Sequence, residues 1–381
     1  MEAIRFNFYK IESVRLRGRE VAVVKNISRS SYALLFIFLL CAPLFLHDFR
    51  VALLAKFLCF AILAVGICLI WGYTGILSLG HGVFFGLGAY CVAMYLKLEA
   101  SPTGIPDFMG WSGIVELPGL WKPFANPYFA ISAAVIVPVL LALVLGYFTF
   151  KNRIRGVYFS LISQALVVVF VTLFIGKQEI TGGTNGLTNF STAFGISLTN
   201  RGVQQVLYFI TVGFLLLTVA FALWLTKSRA GKLLMAIREG ENRVRFLGYN
   251  PTSFKVFVYC VSAALAGVAG GLFVLQVGMI SPEMMGIIPS IEMVLWVAVG
   301  GRYSIFGAVI GAILTNSAKS FFSESYPDFW LFFLGGLFIL VVLVMPNGLV
   351  GLGKSVGEKI TSRIKKKEKE DVQHEAGPYV S

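Results

Sequence analysis

Ten stretches of this chain are apolar enough and long enough to cross about 30 Å of hydrocarbon, a pattern that belongs to a membrane protein. They lie near 32–46, 51–71, 76–96, 127–150, 156–176, 205–226, 255–280, 287–301, 304–322 and 329–347. Backbone polar groups in lipid must find internal partners, so runs of this length are expected to be helices. The expected fold is all-α and polytopic, with about ten transmembrane helices. Composition agrees, since 57% of the 381 residues are hydrophobic and 13% charged, against roughly 45–50% apolar in soluble domains. Runs 32–46 and 287–301 are short and 76–96 is rich in glycine, so tilted or broken helices are expected among them.

The net charge of +13 could suggest nucleic acid, but the 32 basic residues are placed otherwise. Seven lie in 1–31, three in 151–155, seven in 227–255, one at Arg302 and seven in 354–381. With the amino terminus inside, all of these fall on one side, which is the positive-inside pattern of a membrane protein and excludes a nucleic-acid groove. Residues 1–31 are then a basic cytoplasmic segment, 32–350 a transmembrane domain, and 351–381 a basic cytoplasmic tail expected to be disordered. The first 31 residues have no apolar core, so 32–46 is read as an uncleaved first span.

The longest polar interior segment, 227–254, is read as cytoplasmic. Leu233, Ile237, Val244 and Leu247 recur at spacings of four, seven and three, which predicts an amphipathic helix offering an apolar stripe to a soluble partner. Gly248 and Asn250-Pro251 are expected to end it. A helix resting on lipid headgroups is the blander alternative.

Candidate site residues are sparse. Gly72, Gly75, Gly80, Gly82, Gly86 and Gly88 crowd one stretch, suited to close helix packing and to a break near Ser78 that lines a path. Gly82 with Gly86, Gly267 with Gly271 and Gly307 with Gly311 are small-residue pairs of the packing type. The outer segment 97–126 holds Trp111 and Trp121, read as an interfacial anchor or a docking surface. The second outer segment holds TGGTNGL at 181–187, fit for a turn, an anion nest or a substrate contact. Lys56, His81, Glu292 and Lys319 are the ionisable groups within spans, and such groups are functional candidates because charge in hydrocarbon is costly. For Glu292 a structural partnership with a helix end or hydroxyl weighs equally, and Lys56 and Lys319 are read as able to snorkel. The five cysteines sit in apolar runs without metal-ligand spacing. GLVGLGKS at 348–355 fits the P-loop pattern, but a membrane span precedes it and no α/β domain follows, so nucleotide binding there is not expected. Three histidines without partners at useful spacing make no catalytic set.

These stretches resemble the branched-chain amino acid type of ABC-importer permease over roughly 35–350. The likeness is carried by LIWGYTGILSLGHGVFFGLGAY at 69–90, TGGTNGL at 181–187, SRAGKLLMAIREGENRVRFLGYN at 228–250, SAALAGVAGGL at 262–272 and VAVGGRYSIFGAVIGA at 297–312. Within that family, 51–75, 106–124 and 289–302 are most similar to the urea-importing branch. One departure is Tyr303, where the pattern leads us to expect glycine after the arginine. The resemblance implies a ten-helix, ATPase-coupled importer subunit of a bacterial inner membrane, with both termini cytoplasmic. It implies a second homologous permease, two cytoplasmic ATPases that hold ATP and Mg, and a periplasmic binding protein, with no cofactor and no catalysis on this chain. The coupling region it implies contains Ala236, Arg238, Glu239 and Gly248, beside the stripe of Leu233, Ile237, Val244 and Leu247. Ser78, His81, Thr184, Asn185 and Glu292 are candidates for the substrate path. Urea or a short amide is the expected substrate, with branched-chain amino acids as the alternative; an ion-coupled transporter would need more buried charge than these spans hold.

Overall fold

The computed structural model describes residues 18–351, except 102, 103, 155, 191 and 199 and, from 327 to 347, all but 329, 332, 335, 336 and 339; side chains are described from residue 30 onward. The chain forms two compact units. The first holds helix α1, Gly18–Phe45. The second begins with α2, Asp48–Thr74, and α3, His81–Glu99. A short α4, Asp107–Trp111, leads to α5, Pro127–Lys151, and α6, Val157–Gly176. After the single turn α7, Gln178–Thr181, come α8, Arg201–Lys227, α9, Arg229–Phe246, and α10, Pro251–Val277. The described helices end with α11, Ile287–Gly300, and α12, Ile305–Ser325.

Helices α2, α3, α5, α6, α8, α10 and α12 are long and apolar enough to cross a membrane, and Ser30–Phe45 and α11 are shorter apolar helices. The run expected at 329–347 lies largely outside the described residues, as do the tail from 352 on and the end of the GLVGLGKS stretch.

Local signals set several helix starts. Asn126 and Asn250 each precede a proline and accept a hydrogen bond from the amide two residues on, at 2.9 and 3.1 Å. An asparagine cap followed by proline at the first helical position opens α5 and α10 as it should.

Helices α2, α3 and α10 form the buried centre, with α5, α8 and α12 packed around them. Glycine allows the closest approaches. A side chain at Gly88 would run into the Gly267 backbone, and one at Gly270 into the Phe85 carbonyl, so α3 and α10 meet backbone to backbone. Gly307 and Gly311 face Gly300 in the same way across α11 and α12. Of the small-residue pairs read from the sequence, Gly307 with Gly311 packs α12 on α11, and Gly267 lies against the Ala134 backbone of α5.

In the segment 97–126, Trp121 is buried and packs edge-on against Phe124 at 4.9 Å, whereas Trp111 is 86% exposed. Lys97 ties the segment to α3 by donating to Asp107 at 3.0 Å. Ser112 stands exposed there, and Arg243 stands exposed on α9. In a variant without native cysteines, a cysteine at Arg243 should react with an impermeant thiol reagent only from the cytoplasmic side and one at Ser112 only from outside. Equal sidedness would refute the orientation read from the charges.

Candidate functional site: a broken-helix centre and a coupling helix

Two non-helical stretches converge on the first turns of α3. The first, 75–80, separates α2 from α3, so the span expected from 76 starts only at His81. Its backbone is held by serines of α6: the Ser160 hydroxyl donates to the Leu77 carbonyl at 2.7 Å, and the Leu79 amide donates to Ser163 Oγ at 3.0 Å. Irregular backbone at membrane depth survives only with such partners. The second stretch, 278–286, follows α10. It contains strand β4, Met279–Ile280, paired antiparallel with β1, Leu187–Thr188, in the register Leu187 to Ile280. It then makes a 3-10 turn over Pro282–Met285, and Met285 fills the space left by Gly86 while Ser290 lies over Gly82. Further along the outer segment that carries β1, β2, Thr192–Ala193, pairs with β3, Ile196–Ser197.

The expected path residues divide. Ser78 and His81 are buried together, and His81 Nε2 shares a 2.7 Å hydrogen bond with Ser262 Oγ near the middle of α10. His81 Nδ1 and the buried Tyr259 hydroxyl lie beside Ser78 without a hydrogen bond of good geometry, and Ser290 Oγ is also buried without a partner. Buried polar atoms of this kind mark places where water or a polar ligand completes the network. Ser160, Ser163, Tyr259, Ser262 and Ser290 were not singled out in the sequence; hydroxyls at positions three apart in the largely apolar 156–176 run were the available signal. Thr184 and Asn185 are exposed in a 3-10 turn, Gly183–Asn185, whose neighbour Gly186 backs onto Ile280 and Ser281. They do not join the buried cluster.

Glu292 is buried on α11 and accepts from Lys319 Nζ of α12 at 2.7 and 2.8 Å. Its partner is therefore a lysine, not a helix end or hydroxyl, and Lys319 reaches inward where the sequence suggested snorkelling. Lys56 lies close enough to feel both charges, 6.0 Å from the centre of the Phe60 ring.

At the end of the spans where α2 and α8 begin and α10 finishes, a cavity of about 170 Å³ is lined by Asp48, Arg201, Gln204, Gln205, Tyr208 and Gln276 among others. Asp48 and Arg201 pair across it at 2.9 Å. The Gln276 amide donates to Thr211 Oγ1 at 2.9 Å.

At the opposite end, α9 corrects the expected docking stripe. Gly240 leaves the helical conformation, with φ −172° and ψ 83°, which resets the phase of the helix. Leu234, Ile237, Glu241 and Val244 are buried against α2, α8 and α10. Leu233 is half-buried, and Leu247 is 76% exposed. Ile237 and Val244 are therefore covered by the chain itself and cannot serve a partner as anchors. The periodic reading assumed one unbroken helix and an unoccupied apolar face. Glu241, which no sequence signal singled out, pairs with the buried Lys255 and with Arg245 at 3.2 Å. Arg238, in the coupling region that the resemblance implies, turns toward α2 and donates to the Gly72 carbonyl at 2.6 Å. Among the residues exposed on α9 are Lys232, Ala236, Glu239, Asn242 and Arg243, and beyond them Phe246, 90% exposed, next to Leu247 and Tyr249 around the positive-φ Gly248.

Long apolar helices, breaks held by buried hydroxyls and a polar helix carried outside the spans define a multi-pass membrane permease. The chain belongs to the family described as branched-chain amino acid transport system / permease component, whose model matches residues 49–342. It is similar to the high-affinity branched-chain amino acid transport system permease protein LivM of Salmonella typhimurium, 26% identical over 76% of this chain and 67% of that protein. It is also similar to BraD of Pseudomonas aeruginosa, a permease protein of the same description, 26% identical over 77% of this chain and 91% of that one. The autoinducer 2 import system permease protein LsrC of Yersinia pestis is 27% identical over 59% of this chain and 64% of its own length. No solved structure matches the chain significantly.

Proposed function

We propose that this chain is one membrane subunit of an ATP-driven importer in a bacterial plasma membrane, carrying urea or a short amide inward. The observation that carries the importer reading is α9. It lies outside the spans at the end where the basic residues cluster, and it presents Phe246, Leu247 and Tyr249 beyond the body of the protein. An ATPase subunit is the soluble partner such an element serves, and ATP and Mg would be held there. A second permease and a periplasmic binding protein complete the system, and this chain contributes no catalysis.

The substrate reading rests on the interior. Around Ser78 and His81 the polar groups are hydroxyls and an imidazole, and the buried Glu292 is neutralised by Lys319. A neutral molecule needs only hydrogen bonds there, whereas a zwitterion needs a counter-charge at each end. The similarity of 51–75, 106–124 and 289–302 to the urea-importing branch supports the same substrate. Branched-chain amino acids are the second reading. The names of the relatives favour it, and so does the Asp48–Arg201 pair at the cavity, which holds one charge of each sign. Deleting the gene should abolish uptake of labelled urea and spare leucine; loss of leucine uptake with urea uptake intact would replace the first reading by the second.

A further inference from the structure

Tyr303 stands where we expected glycine, and it is the centre of a stack joining three elements. The Arg238 guanidinium of α9 lies 4.8 Å from its ring centroid and the Arg302 guanidinium 4.7 Å. Arg302 in turn lies 5.7 Å from the Trp71 ring near the end of α2. A guanidinium donates in its plane and stacks on its face, so one group can do both. Arg238 does so: Nη1 donates to the Gly72 carbonyl, while Nε and Nη2 donate to Glu239 at 3.0 and 2.6 Å. The Gly72 carbonyl belongs to the last turn of α2, where carbonyls have no helical partner and a cation meets the negative end of the helix. Gly72 also lets the Arg302 carbonyl pack where a side chain would otherwise sit, and that carbonyl accepts from the Cys68 thiol at 3.4 Å.

We propose that Tyr303 is a positioning residue that transmits movement of α9 to the α2–α3 break. The proposal rests on the importer reading, in which an ATPase displaces α9. Arg238 passes that displacement to the last turn of α2, which runs directly into 75–80 beside Ser78 and His81. The ring does two things for Arg238. Its π face gives both guanidiniums a neutral, attractive neighbour, and it holds Arg238 in place so that Nη1 stays on Gly72. Without the ring, Arg238 keeps the Gly72 carbonyl and Glu239, but nothing stacks on its face, and the Glu239 side chain is 72% exposed.

The test uses the assembled complex in proteoliposomes, comparing Tyr303→Ala with Tyr303→Phe. The alanine variant should still co-purify with ATPase subunits, yet move roughly tenfold less substrate per ATP hydrolysed. The phenylalanine variant keeps the ring and should stay within about twofold of the parent. Hydrogen exchange at the Gly75 amide, which donates to the Trp71 carbonyl at 3.0 Å, reads the stack in this chain alone; it should accelerate in the alanine variant only. An unchanged ratio of substrate to ATP in Tyr303→Ala overturns the coupling role even if exchange accelerates, and so does a phenylalanine variant as impaired as alanine. If the parent chain retains no ATPase, the importer reading falls and the coupling role with it, while the exchange result still reports on the stack.

Discussion

Replacing Glu241 by alanine should destabilise the protein by about 3–5 kcal/mol and loosen α9 from the spans. Glu241 and Lys255 are each only 8% exposed at the side chain, and their pairing joins α9 to the first turns of α10. Removing the carboxylate leaves the Lys255 ammonium buried, 5.9 Å from the Phe150 ring centre, stripped of this partner. That loss is larger than the pair's own net worth, because most of the attraction in such a pair offsets desolvation. The double variant Glu241→Leu with Lys255→Met removes both charges and should recover most of the stability. Thermal unfolding of the purified protein in detergent, run as a double-mutant cycle, checks both statements. A single Glu241→Ala variant as stable as the parent would show that the pair holds nothing together.

How far the chain could be read in advance depends on the range of the interaction concerned. Helices announce themselves locally: the apolar runs, Asn126-Pro127 and Asn250-Pro251 place α5 and α10 without tertiary information. The crowded glycines also indicated close packing and a break near Ser78, since both depend on the residue lacking a side chain. Pairing of Leu187–Thr188 with Met279–Ile280 was not legible, because strands of two residues carry no period and the partners lie far apart in sequence. The burial of Glu241 was missed for a related reason. A charge in a polar segment is ordinarily a solvated one, and the buried partner that makes the site tolerable, Lys255, lies fourteen positions on. Gly240 was the overlooked signal within α9, since a glycine in mid-helix can mark a break, and the phase of every anchor after it depends on that break. For the candidate path, Ser78 and His81 were visible as polar residues in an apolar run, while Thr184 and Asn185 drew attention by composition and turned out to be exposed.

The most direct test of the importer reading is the affinity of this chain for its ATPase subunit after Phe246 and Leu247 are both changed to aspartate. These side chains are 90% and 76% exposed and lie outside the spans, so the variant should insert and fold as the parent does. Hot-spot side chains at the centre of an interface cost about 2 kcal/mol or more each when lost, so the pair should weaken ATPase binding roughly a thousandfold and abolish transport. Trp111→Asp, equally exposed but on the opposite end of the protein, should change neither. Retention of the ATPase at parental yield by the Phe246/Leu247 double variant would contradict the assignment of α9 as the coupling element and leave it a helix resting on the membrane surface.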